Sequence, residues 1–141
     1  MKERITYSSD SGYMSLDDNI KTSKLAEDYF GMDDDPSQMK ATDESRKWVM
    51  SKGKFYNNII RDGKDIIGFT FMLPTTTNLM NLFIENKITE SELFENIKNL
   101  GIEEKPEAIY LCSAFIKPEY RRKGYVTNAY VKAINKIWSN F

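Results

Sequence analysis

The sequence predicts an α+β domain, a mixed but mostly antiparallel sheet flanked by helices. Three observations carry this. Two β-prone runs meet at Asp62-Gly63, a strong hairpin signal. A second apolar run over residues 108–116 stops at Pro118, which cannot donate to a sheet ladder. Behind it, Val126, Ala129, Tyr130, Ala133, Ile134, Ile137 and Phe141 recur at helical spacing.

The elements follow in chain order. Arg4-Ile5-Thr6-Tyr7 is a short first strand, and residues 8–13 read as a turn. Ser15 with Asp18 resembles a capping box, with Leu16 and Ile20 as an apolar face. Leu25, Ala26, Tyr29 and Phe30 form a second apolar patch, so residues 16–30 read as one broken helix or two short ones. Asp33-Asp34-Asp35-Pro36 lacks the alternate spacing of a calcium loop. It reads as a solvated turn, or as a patch attracting a cationic acceptor. Residues 42–50 read as a further helix around Trp48 and Val49. The hairpin occupies residues 54–74, with Gly68 marking a bulge or a close backbone approach. Residues 78–101 hold Leu79, Met80, Leu82 and Phe83. A helix then opens at Thr89-Glu90-Ser91-Glu92, with Leu93, Ile97 and Leu100 on its apolar side.

Composition bounds the chemistry. The 141 residues suit one domain, and 40% hydrophobic content is enough for a real core. The formal net charge is −1, which argues against a general nucleic-acid binder. No run is apolar enough to span a membrane, and Met1-Lys2-Glu3-Arg4 leads into no signal-peptide core. A cytoplasmic protein is the simplest reading. Histidine is absent, which excludes Ser-His-Asp and Cys-His catalysis and His-ligated zinc from this chain. No metal site is expected. The single cysteine, Cys112, sits mid-strand and reads as a buried structural thiol. A general base must then be a carboxylate, a tyrosine, a lysine or a relayed water.

Strand, basic glycine turn and helix together are a device for holding phosphate. The first N–H groups of a helix lack internal partners and carry the positive end of its dipole. Gly124 lets backbone approach a ligand, and Arg121, Arg122 and Lys123 add positive charge beside it. A solvated basic loop with a glycine cap explains the same residues equally well on spacing alone.

Ile116-Lys117-Pro118-Glu119-Tyr120-Arg121-Arg122-Lys123-Gly124 resembles the acyl-CoA signature of the GNAT family of N-acetyltransferases. The family pattern is an apolar residue, a spacer, Pro-Glu-Tyr, Arg or Gln, two residues, Gly, one residue, then Gly or Ala. The match is close through Gly124, strong over about a quarter of the chain, and elsewhere by element order only. Val126 stands at the last position, so its side chain either crowds the turn or packs inward.

The resemblance implies a GNAT-like α/β three-layer fold. It divides the chain into an acceptor region over about 1–53, the hairpin, a helical insertion over 78–101 and a CoA-binding unit over 108–141. It implies transfer of acetyl from acetyl-CoA to a small-molecule or peptide amine by direct attack. Ala114, Phe115 and Ile116 would hydrogen-bond the pantetheine arm and polarise the thioester. Arg121, Arg122, Lys123, Gly124, Tyr125, Val126 and Thr127 would hold the pyrophosphate. The family continues past this helix with further strands and a helix, so the C-terminal part of the fold is expected to be missing. A homodimer, aggregation, or a place within a longer active chain is the corresponding expectation. A non-catalytic acyl-CoA-binding module is the alternative.

Overall fold

The computed structural model describes residues 4–11, 15–30, 44, 47–48, 56–99 and 106–139. Four strands, β1 (Ile5–Tyr7), β2 (Asn57–Asp62), β3 (Asp65–Thr75) and β4 (Ala108–Ile116), form one sheet in that order. Every neighbouring pair is antiparallel. The α+β class holds, and the described sheet is antiparallel throughout rather than mixed. The helices are α1 (Ser8–Ser11), α2 (Leu16–Phe30), α3 (Thr77–Ile84), α4 (Glu90–Lys98) and α5 (Tyr125–Ser139).

The centre of the sheet is β3, paired on both sides and buried from Ile67 to Thr75. The apolar run at 108–116 suggested a buried strand, but β4 lies at the sheet edge and fully buries only Phe115. Tyr110 and Phe115 pack on one face of the sheet and Ile109 and Ile116 on the other, while Leu111 is 51% exposed.

Two irregularities set which side chains face which layer. Ile60 pairs with Gly68 and Arg61 with Ile66, so Ile67 is an extra residue in β3. The extra residue shifts the alternation. Ile66 joins Ile59, Phe69, Phe71 and Leu73 on one face, and Ile67 joins Ile60 on the other. Gly68 sits beside this bulge, where a Cβ would collide with the Phe115 carbonyl oxygen. Both readings of Gly68, bulge and close approach, therefore describe it. A second shift leaves Cys112 as the extra residue of β4, between Leu111 opposite Met72 and Ser113 opposite Phe71.

Helices cover both faces. On the first, Leu93, Phe94 and Ile97 of α4 pack on Phe69, Phe71 and Phe115, with Leu25 and Ala26 of α2 against them. On the second, Ala129 of α5 meets Ile60 and Ile67, and Ala133 and Ile137 meet Tyr56 and Met72. The small alanines let α5 lie close to the sheet. Each fully buried Ile or Leu contributes about 1.5–3 kcal/mol. Asn58 locks the second face. Its Nδ2 donates to the Ala129 carbonyl at 2.8 Å, and its Oδ1 accepts from the Ser9 amide at 3.0 Å and the Ser8 hydroxyl at 3.2 Å.

Local chemistry sets the helix starts. Thr89 Oγ1 accepts from the Glu92 amide at 3.1 Å while Glu92 Oε1 accepts from the Thr89 amide at 3.0 Å. Ser15 and Asp18 make the same reciprocal pair at the start of α2. Yet α2 is one continuous helix, not two, and it turns Asn19 and Thr22 inward. Leu16 and Ile20, read as its apolar face, are 55% and 43% exposed. Residues 8–11 form the short helix α1 where a turn was expected. The acidic run at 33–36 and most of the helix read at 42–50 lie outside the described residues.

Candidate functional site

The unit singled out in the sequence is built as strand, short 3-10 turn, basic loop and helix. After β4 the Lys117 amide still donates to the Ile67 carbonyl at 2.8 Å, so the strand end is fixed to the sheet. Pro118 opens a 3-10 turn, Pro118–Tyr120, because its ring presets the backbone and its missing N–H is not needed there. Tyr120 anchors the turn: its hydroxyl donates to Asp62 Oδ2 at 2.6 Å, at the end of β2.

The loop then reverses direction through left-handed backbone, with φ of 66° at Arg122 and 81° at Gly124. Left-handed backbone is disfavoured for side chains with a Cβ, so Gly is the residue that fits position 124. A Cβ built there would meet nothing within 4 Å. The glycine is needed for its backbone angle and faces open space, which leaves room for a ligand to approach. The first intrahelical bond of α5 runs from the Asn128 amide to the Gly124 carbonyl at 3.0 Å. Helix geometry leaves the amides of the preceding turn without intrahelical acceptors.

Arg121, Arg122, Lys123 and Gly124 are exposed, as is Thr127. Arg121 Nε donates to the Ile116 carbonyl at 3.4 Å, and Lys123 Nζ lies 5.9 Å from the centre of the Tyr120 ring. Tyr125 and Val126 pack against Tyr7, Ile60 and Ile67. Val126 therefore packs inward and does not crowd the turn. The site residues on β4 separate by face. Phe115 is buried with its ring 6.3 Å from that of Phe69, while Ile116 packs on the α5 side. Ala114, which precedes them, is half-buried.

The structure adds a cluster that sequence reading missed. The Tyr110 hydroxyl donates to Glu90 Oε2 at 2.8 Å, and the Cys112 thiol approaches the same oxygen at 3.7 Å. Glu90 opens α4, so this helix places a carboxylate against β4 at its bulge. Tyr130 of α5 donates its hydroxyl to the Ser113 carbonyl at 3.1 Å. Burial, and then the Glu90 carboxylate, push the Cys112 thiol well above the usual range. Burial and the Glu90 hydrogen bond do the same to Tyr110. A thiol so held is neutral and a poor nucleophile. The one sequence signal for this cluster was the carboxylate inside the capping segment Thr89-Glu90-Ser91-Glu92. Its partners, some twenty residues away, could not be paired with it before the register of β4 was known.

No protein-family model, curated protein or solved structure matches this chain. Among the described residues no group of His, Cys, Asp or Glu is arranged to hold a metal ion, and no helix is long and apolar enough to cross a membrane.

Proposed function

We propose that the chain is a GNAT-like N-acyltransferase that moves acetyl from acetyl-CoA to a primary amine by direct attack. One observation carries the reading. The Pro-Glu-Tyr-Arg-Arg-Lys-Gly segment forms a 3-10 turn and a left-handed glycine loop that delivers chain from the edge strand into the start of α5. The room at Gly124, the helix start behind it and three exposed cations fit a pyrophosphate. When bound, acetyl-CoA supplies the activated thioester carbonyl. Backbone groups at Ala114, Phe115 and Ile116 would align the acyl arm along the edge strand. Glu90, held against the bulge of β4, would receive the proton of the attacking amine as the C–N bond forms; the C–S bond breaks and CoA leaves as a thiolate that takes a proton from water. Cys112, held against Glu90 and kept neutral, would be a poor acyl acceptor, which fits direct attack.

Self-association through β4 belongs to the same proposal. The strand has no partner on its outer side among the described residues, and Leu111 is exposed along it. That open edge also favours the second reading, acyl-CoA binding without turnover.

Two measurements test these readings. Calorimetry with acetyl-CoA should show saturable binding, and its absence would remove both. Thiol release in the presence of a panel of amines separates them. Turnover that falls in Glu90→Gln without loss of CoA affinity supports transfer and the role of Glu90. Binding with no turnover against any amine leaves the binding module.

A further inference from the structure

A second site lies on the sheet face away from α5. A cleft of about 310 Å³ opens between α2, the β2–β3 turn and the end of β4. That volume is at the low end for small-molecule sites. Four cationic side chains line it, Lys21, Arg61, Lys64 and Lys117, against two carboxylates, Asp18 and Asp65. The described lining residues therefore carry a formal charge of +2, four minus two.

Those charges are not equally engaged. Asp18 Oδ1 holds Arg61 Nη2 at 2.6 Å, with both side chains mostly buried. Asp18 is itself held by Ser15, since it caps α2. This pair orients the guanidinium at the cleft wall and leaves its remaining donors to a ligand. Lys21 pairs with Asp17 at 2.9 Å, but both are well exposed, and such pairs contribute little. Lys64 sits on the hairpin turn, and Lys117 is fixed through its own amide to Ile67. Leu25 and Ile66 supply an apolar wall.

We propose that this cleft binds a small organic dianion, a doubly charged phosphate or carboxylate group on a short apolar body. The charge balance sets the dianion, Arg61 supplies a planar fork for its oxygens, and Leu25 with Ile66 receives the apolar part. The site is independent of the acyl-transfer reading. The residues flanking Gly124, Tyr120 and Val126, pack on the opposite face, whereas Leu25 and Ile66 pack on this one.

Phenyl phosphate and phthalate serve as probes, with phenol as the neutral control, each followed by calorimetry and by amide shifts at Leu25 and Ile66. One or both dianions should bind at submillimolar to millimolar concentration, with shifts at those two positions and none from phenol. The ligand that binds identifies the source of the charge. The paired change Lys64→Gln and Lys117→Gln, at surface positions, should weaken binding by about tenfold or more. Gly124→Asp should leave it within about twofold, since the helix turn is a different site. Binding that survives the lysine changes, or that is lost in Gly124→Asp, overturns the proposal. So does a wild-type protein that binds neither dianion. If the lysine variant proves unfolded by circular dichroism, Leu25→Gln decides by the same criterion, weakened binding supporting the site and unchanged binding overturning it.

Discussion

Two glycine turns lie at the same end of the sheet, and they differ in what surrounds them. Gly63 and Lys64 close the β2–β3 hairpin between the paired residues Asp62 and Asp65. The loop between β4 and α5 turns at Gly124. Both glycines have left-handed backbone, with φ of 61° and 81°. At Gly63 a Cβ would lie 2.8 Å from the Arg4 guanidinium, and the Gly63 amide donates to the Arg4 carbonyl at 3.0 Å. At Gly124 the same atom would meet open space. One turn is packed and closes a hairpin. The other has left-handed backbone too, but a Cβ at its glycine would touch nothing among the described residues. An open turn at the start of a helix leaves room for an anion, whereas a packed one explains itself by the hairpin it closes. The Tyr120–Asp62 hydrogen bond joins the two, so the open turn is positioned by the closed one.

The largest effect expected from breaking this contrast is that of Gly124→Asp. The change adds a negative charge where phosphate would sit and places a Cβ on left-handed backbone. CoA affinity should fall by about a hundredfold, while stability falls by about 1–2 kcal/mol. Calorimetry and urea unfolding on the same samples separate the two. Unchanged affinity in a folded variant would return the turn to a solvated basic loop. Tyr120→Phe should act on both turns at once. Removing a hydrogen bond to a carboxylate costs about 1–2 kcal/mol at a half-buried position. With the anchor gone, CoA affinity should drop severalfold even though Tyr120 itself need not touch the ligand.

Much of the Gly124 turn was legible in the sequence because its determinants are local. Pro118 starts the 3-10 turn, Gly124 takes the left-handed angle, and the alanines of α5 recur at the helical period. The hairpin, the Ser15–Asp18 capping pair and the helix after Thr89 were legible for the same reason. What the sequence hid was long-range. The apolar content of β4 suggested a buried strand, but Phe115 is its one fully buried residue. Leu16 and Ile20 suggested the inward face of α2, yet the helix is rotated so that Asn19 and Thr22 point in and Asp18 reaches Arg61. Glu90 and Cys112 came together only through the bulge that displaces Cys112 from the regular pairing. Bulges and register depend on partners distant in sequence, and one inserted residue reverses every side chain beyond it.

Gly63→Ala sharpens the comparison from the closed side. The left-handed angle at the first central position, followed by an ordinary residue, fits a type II′ hairpin turn, where glycine is preferred. Alanine there should cost roughly 1 kcal/mol through backbone strain, with the flexible Arg4 side chain moving aside. CoA affinity should stay within about twofold, because the amides at the start of α5 are untouched. A large loss of CoA binding in this variant would mean that the two turns act as one unit and that their separation into packed and open is false.

The smallest effect concerns the ion pair next to the closed turn. Burial alone would raise the Asp18 carboxyl. The hydrogen bonds from Arg61 and Ser15 and the Arg61 charge outweigh burial and hold it below the ordinary aspartate range. A carboxyl lowered in the folded state favours folding wherever it is ionised, so its contribution is present above the unfolded value near pH 4 and is lost as pH falls through the folded value. The pair is partly open to solvent, so the contribution at neutral pH should be about 0.5–1 kcal/mol. Asp18→Asn should therefore unfold at lower urea than wild type at pH 7, and the gap should close as the pH is taken below 3. Only the hairpin side should respond, since Asp18 and Arg61 hold β2 to α2 and not to α5. A gap that stays constant from pH 7 to pH 2.5 would show that Asp18 acts through its cap on α2 and not through the charge of Arg61.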